Sequence, residues 1–261
     1  MDILCMCGHG RCDASECLGR AAKRECQWDY GLLRFVVGDR QARPDVHVTD
    51  LTGCLRRAYF SKTVHAAQFP HEMLALSLGS ITHGLLEGGD EIIRTEVPLR
   101  ALGIVGKADV VYVDGFITDY KTTRWLTPSK LPYGSHVLQV NIYAQLLREQ
   151  GEEPIGASIQ YIDLSGPTKC RACKLPVIPV DGALECPICH ARPRDAHLGG
   201  VLYPVDLKPA DEIRHLIEER RDLLILALKS ENQPDPEVGW LCGYCPFIEI
   251  CEEGTEWKAQ H

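Results

Sequence analysis

Hydrophobic and polar positions along this chain follow two periods, and the switches between them mark its elements. Residues 47–62, HVTDLTGCLRRAYFSK, carry Leu51, Leu55, Ala58 and Tyr59 at helical spacing, with Thr49 as the expected N-cap. Residues 71–88 predict a second helix with Leu74, Leu78, Ile81 and Leu85 on its apolar side and His83 as the polar exception. A strand pattern takes over in 91–105 and 103–123, GIVGKADVVYVDGFITDYKTT, where apolar runs flank Asp114-Gly115 and predict an antiparallel hairpin. A loop punctuated by Pro128, Pro132 and Gly134 leads to a helix over 135–150 closed by Gly151. Residues 155–165 read as a core strand, and 209–230 as a helix with Pro209 near its start. A linker, ENQPDPEVG, runs into WLCGYCPFIEIC, and no strong periodic element precedes Leu32.

Three polar residues interrupt the central hairpin: Asp109, Asp119 and Lys121. Side chains alternate along a strand, so Asp119 and Lys121 share a face. Two carboxylates and a lysine on one face are costly unless a divalent cation neutralises the acids. Register decides whether Asp109 joins them. A two-residue Asp-Gly turn would pair Val113 with Phe116 and put the two aspartates on opposite faces. A shared site therefore requires an odd-length loop or a break in the ladder at Asp109. In the following helix Gln139 and Tyr143 are four apart and occupy one face. They read either as half-buried amphipathic positions or as cleft residues, with Gln139 holding water or phosphate. Glu96 reads as structural rather than catalytic, since Pro98 marks an irregular edge.

Composition narrows the class. The chain has 261 residues, 45% hydrophobic and 25% charged, enough for one main core with smaller modules. No apolar run is long enough to span a membrane and no signal-peptide pattern opens the sequence, which sets a cytoplasmic expectation. A net charge of −8 argues against coating nucleic acid by charge alone. A local cleft is still compatible, with Arg56, Arg57, Arg124 and Lys130 as candidate phosphate contacts.

The 13 cysteines separate into three sets, and without a secretion signal they favour metal over disulfides. Cys170, Cys173, Cys186 and Cys189 form two C-x-x-C knuckles, the pattern of a structural zinc ribbon with no open coordination position. Cys242, Cys245 and Cys251 are one thiolate short of a tetrad, and Cys54 supplies a fourth; four such thiolates could hold zinc or an iron–sulfur cluster. Cys5, Cys7, Cys12, Cys17 and Cys26, with His9, are numerous enough for a further metal site, or else form a flexible thiol-rich extension.

Taken together, Asp109, the Asp119-Tyr120-Lys121 triplet, the G-x-x-x-H of Gly79 and His83, the QVNIY of Gln139 to Tyr143 and the four end cysteines resemble the PD-(D/E)XK nucleases of RecB type. More narrowly they resemble the iron–sulfur branch, which includes the CRISPR-associated exonucleases of the fourth Cas family and the AddB nuclease domain. The resemblance covers roughly 47–167 and 200–255. It implies an α/β, restriction-endonuclease-like fold: a mixed central sheet flanked by helices, with an inserted zinc ribbon and a C-terminal iron–sulfur region. The expected domains are a Cys-rich extension at 1–44, a nuclease domain at 45–167 and 196–261, and a ribbon at 168–195. The resemblance also implies Mg²⁺ or Mn²⁺ on His83, Asp109, Asp119 and the Tyr120 carbonyl, with Lys121, Gln139 and Tyr143 completing the catalytic set. A [4Fe–4S] cluster would sit on Cys54, Cys242, Cys245 and Cys251. The implied activity is exonucleolytic cleavage of single-stranded DNA ends, often 5′ to 3′, trimming spacer precursors beside the CRISPR integrase. Trp125 and Tyr133 could stack bases. A DNA-end-binding adaptor of a larger nuclease, recombination or integrase complex is the competing reading, favoured by the added metal modules. Two features depart from the plain family pattern, the N-terminal extension and the ribbon, and Asp119 stands where many relatives carry glutamate.

Overall fold

A computed structural model describes residues 2–5, 10–26, 28–37, 44–64, 89–123 and 125–261. The helix expected over 71–88, with His83, lies outside the described residues, as do Cys7 and His9. Two compact units are formed, one from Met1–Gly84 and Leu216–His261, the other from Leu85–His215.

The first unit opens with a hairpin of β1 (Asp2–Cys5) and β2 (Gly10–Asp13) and the helix α1 (Ala14–Ala22). Asp13 caps α1 by accepting the Ser15 N–H at 2.8 Å. With α2 (Tyr30–Val37) these elements bury Cys12, Ala14, Cys17, Ala21 and Leu33, with Cys26 and Trp28 packed alongside. The expectation of no regular element before Leu32 is thus corrected. The apolar positions of α1 are alanines and cysteines, small residues whose pattern is faint in sequence but which pack closely.

The helix expected over 47–62 is two helices, α3 (Val48–Leu51) and α4 (Leu55–Thr63). The break falls at Thr52–Cys54, where Gly53 lowers helix propensity. His47 rather than Thr49 takes the N-cap position of α3, and its N–H donates to Asp50 Oδ2 at 2.9 Å. The break leaves Cys54 as the N-cap residue of α4.

The second unit holds a five-stranded sheet in the order β3-β4-β5-β6-β9: β3 (Ile93–Ala101), β4 (Ile104–Tyr112), β5 (Phe116–Thr123), β6 (Gly156–Asp163) and β9 (Gly200–Val205). Its one parallel pair, β5 and β6, is connected through α5 (Gly134–Glu149), as a parallel pair requires a crossover. The other pairs are antiparallel, which makes the sheet mixed. Pro98 sits in the edge strand β3, where a missing donor is tolerated. In α5, Val140, Ile142, Ala144 and Leu146 are fully buried. Between β6 and β9 the chain makes a small hairpin of β7 (Ile178–Val180) and β8 (Ala183–Glu185). The sequence pattern gave no separate strand at β9, whose outward Leu202 blurs the alternation.

From the second unit α6 (Ala210–Ser230) runs on into the first, followed by two short 3₁₀ turns and α7 (Glu252–Gln260). Among the described residues no helix is long and apolar enough to cross a membrane.

Candidate active site and metal centres

The loop joining β4 to β5 decides the site. Val110 pairs with Thr118 and Val111 with Ile117, so Tyr112 faces Phe116 and the loop has three residues, Val113, Asp114 and Gly115. Gly115 takes φ +89°, and a Cβ there would lie 2.6 Å from the Glu153 carbonyl oxygen, so the position requires glycine. The odd loop brings Asp109 opposite Asp119, on the face that also bears Lys121. The backbone ladder between the strands ends at the Val110–Thr118 pair. Beyond it the Asp109 carboxylate itself accepts the Tyr120 N–H at 2.7 Å. Either irregularity would allow the shared site, and both are present.

Around Asp119 the contacts are close. Its carboxylate is buried, at 1% exposure, and Lys121 Nζ lies 2.7 Å from Oδ2. Gln139, on α5 above this face, donates through Nε2 to Asp119 Oδ1 at 3.3 Å and to the Tyr143 hydroxyl at 2.7 Å. Burial raises the Tyr143 phenol strongly, with the Asp119 and Asp109 charges acting in the same direction, so it stays protonated. Tyr120 is raised by burial as well. The structure thus gathers Asp109, Asp119, Lys121, Gln139 and Tyr143 and engages Tyr120 through its backbone. Glu96, at φ +51°, pairs with Lys107 in the neighbouring strand.

Hard carboxylate oxygens, one of them desolvated beside a single ammonium, suit a small divalent cation better than a soft metal. Over residues 89–252 the sequence matches the family described as the PD-(D/E)XK nuclease superfamily, and that stretch contains all of these groups except His83.

The chain belongs to the PD-(D/E)XK nuclease superfamily.

Solved structures similar to this nuclease include SSO0001, at 19% identity and a TM-score of 0.48, covering 93% of this chain and 97% of that one. An alkaline exonuclease from Laribacter hongkongensis matches at 12% identity and TM-score 0.39, over 72% of this chain and 89% of its own. A phage-related exonuclease from Haemophilus somnus 129PT matches at 17% identity and TM-score 0.31, over 62% and 67%. Among curated proteins nothing matches.

In the ribbon of this nuclease, the Cys170, Cys173, Cys186 and Cys189 sulfurs all lie within 4.8 Å of one another. The two knuckles repeat one geometry. Lys174 N–H donates to the Cys170 carbonyl and His190 N–H to the Cys186 carbonyl, and both donors sit at positive φ, 60° and 56°. Backbone N–H groups of Cys189 and Ile188 pull the Cys186 thiol down to about 6, which prepares it as a thiolate. Four converging thiols fit a tetrahedral zinc ion.

The second thiol set lies wholly in the first unit. Cys245 is raised by burial, and neighbouring Cys242 and Cys54 act in the same direction against the Arg57 charge. Cys54 Sγ accepts the Glu237 N–H at 3.4 Å. Arg56 ties the two ends of the chain: Nε donates to the Pro234 carbonyl at 2.7 Å, and Nη1 pairs with Glu253 at 2.5 Å and approaches Cys251 Sγ at 4.0 Å. Those bonds and its burial remove Arg56 from the candidate phosphate contacts, a correction to the sequence expectation. Arg57 and Lys130 are exposed, and Arg124 lies outside the described residues. Cys12 and Cys17 are buried in the core of the N-terminal hairpin and helix.

Sequence reasoning passed over one set of groups. The loop after β5 is anchored by Asp163, which accepts the Leu126 N–H at 2.9 Å, and by Asp195, which accepts the Ser129 N–H at 2.9 Å. Tyr203 donates to the Pro128 carbonyl at 2.8 Å, and the Tyr161 hydroxyl accepts the Tyr133 N–H at 3.2 Å. These partners come from β6, β9 and the last residue of the 168–195 segment, and no spacing rule links segments so far apart.

Proposed function

We propose that this nuclease is a Mg²⁺- or Mn²⁺-dependent deoxyribonuclease that hydrolyses phosphodiester bonds at single-stranded DNA ends. The observation that carries the reading is the three-residue loop, which sets Asp109 opposite Asp119 with Lys121 paired to the second acid. The two carboxylates, with the Tyr120 carbonyl, would hold the cation. When bound, the ion supplies Lewis acidity toward the phosphate and lowers the pKa of a water. Gln139 spends its amide hydrogens on Asp119 and Tyr143, fixing the carboxylate against α5 so that it does not reorganise when substrate arrives. Lys121 presents a cation beside Asp119, where it can orient the attacking water and offset the charge that grows on the phosphate oxygens as the P–O bond breaks.

The reading extends to the end thiols. Cys54, Cys242, Cys245 and Cys251 would hold a [4Fe–4S] cluster that staples the two ends of the chain within the first unit, beside the Arg56–Glu253 pair. The ribbon would hold zinc in a structural role. The sequence resemblance makes trimming of spacer precursors beside an integrase the first biological setting to test.

End-labelled single-stranded DNA incubated with Mn²⁺ tests the chemistry. Wild type shortens the strand from its end, while Lys121→Ala and Asp119→Asn leave it intact. Equal degradation by all three would remove the enzymatic claim. Anaerobically purified protein shows broad visible absorption if the cluster is present; colourless protein carrying only zinc contradicts it.

A further inference from the structure

Next to Lys121 the second unit contains a cavity of about 190 Å³ at the carboxyl ends of the parallel strands β5 and β6. Crevices at such strand ends are where open α/β sheets take ligands. Four rings line it: Trp125, Tyr133, His136 and Tyr161. Tyr133 stands edge-on to His136, centroids 5.4 Å apart and planes at 85°, while His136 lies tilted against Tyr161 at 5.7 Å. His136 Nδ1 and the Tyr161 hydroxyl are 2.9 Å apart, which locks both rings. Trp125 lines the same space and is 86% exposed to solvent.

Size and charge define what fits. The volume is below the ~300–1,000 Å³ of pockets that enclose a drug-sized ligand, so the cavity takes a fragment. Its walls are largely aromatic, with Lys121 at one side. Burial and the nearby Lys121 charge hold the His136 imidazole at about 4, and burial lifts the Tyr161 phenol to about 12, so both are neutral near pH 7. Among the described lining residues Lys121 is the one cation. A phosphate deep inside would face mainly rings, whereas one at the Lys121 side meets that ammonium. A flat neutral heterocycle meets stacking faces, with Thr122, Thr123 and Thr127 also lining the space.

We propose that this cavity is a binding pocket for one unpaired nucleobase, which seats the nucleotide adjoining the phosphate held at Lys121. The proposal rests on the nuclease reading for its substrate class and adds a subsite with a consequence. A base stacked in a duplex cannot enter a pocket of this size without leaving its partner, so the pocket selects frayed or single-stranded ends. Stacking reads no sequence, so selection is by strandedness. The pocket is preformed, because its loop is held by Asp163, Asp195, Tyr203 and the Tyr161 hydroxyl.

The test uses full-length protein and single strands carrying 2-aminopurine at successive positions, with Ca²⁺ replacing Mg²⁺ so that strands bind uncut. Fluorescence reports stacking and anisotropy reports binding. One position near the end is quenched by wild type. Trp125→Ala, at an exposed loop position, removes that quenching and weakens binding by about 10-fold, the loss of one base–aromatic stack. A bound strand with no quenched position, or unchanged quenching in Trp125→Ala, overturns the pocket. A second arm compares cleavage in Mn²⁺ of strands with and without an abasic residue at the quenched position. A fall of about 10-fold supports the pocket, and equal rates overturn it. If wild type cleaves nothing, the catalytic reading fails while the fluorescence arm still decides the pocket; if no strand binds, both fail.

Discussion

Replacing Lys121 with methionine probes the cation site through stability alone. Asp119 is 1% exposed, and its Oδ2 faces the Lys121 ammonium at 2.7 Å. Methionine keeps most of the aliphatic stem but leaves a buried carboxylate without its counter-charge. Breaking a buried pair by removing one partner costs about 3–5 kcal/mol. Lys121 itself is 21% exposed, and Gln139 still donates to Oδ1, so the lower end, about 3 kcal/mol, is the expected loss. For a chain of this size that lowers Tm by roughly 6–12 °C. The informative step follows: millimolar Mn²⁺ restores most of the loss, because the ion supplies the missing positive charge at Asp119. Differential scanning fluorimetry across a Mn²⁺ titration, with wild type alongside, reads both effects. An unchanged Tm in metal-free buffer would show that the pair contributes little. A large loss that Mn²⁺ does not reverse would show that Asp119 takes no part in cation binding.

Other expectations follow from the same contacts. His136 sits at about 4, below its ordinary 6.5, so the unfolded chain binds more protons between those values. Its contribution is complete above about pH 6.5 and declines by about 3 kcal/mol as pH falls to 4; urea melts of wild type against His136→Asn show this as a flatter pH dependence in the variant. Cys186→Ser removes one of four converging thiols, so the protein loses about one zinc per chain by metal analysis, and amide exchange rises through 168–197. Arg56→Gln loses the bonds to Pro234 and Glu253, costing about 2–3 kcal/mol in denaturant melts and exposing the C-terminal segment to protease; a variant as resistant as wild type refutes the tie.

Much of the site was legible because it is local. Asp119 and Lys121 share a face by strand period, and Gln139 and Tyr143 by helix period, and each pair shares one face in the structure. The need for an odd loop or a broken ladder also followed from register, since a regular two-residue turn would put Asp109 and Asp119 on opposite faces. The ribbon was legible because each knuckle is a four-residue unit. What was lost depends on weaker or longer-range physics. Gly53 and Thr52 interrupt a pattern whose apolar spacing still reads as one helix, so the break that exposes Cys54 at a helix start did not show. The N-terminal hairpin and α1 rest on cysteine and alanine, whose burial signal is faint. Arg56 looked like a phosphate contact because its partners, Pro234 and Glu253, are nearly two hundred residues away. The role given to His83 falls outside the described residues.

The central claim is that Asp109 and Asp119 hold one cation between them. Electron paramagnetic resonance of Mn²⁺ titrated into wild type, Asp109→Asn, Asp119→Asn and the double variant tests it most directly. The account predicts tight Mn²⁺ binding in wild type, sharply weakened by either substitution and no weaker in the double variant than in the poorer single. Binding that survives both substitutions, or two independent losses that simply add, would contradict a shared site.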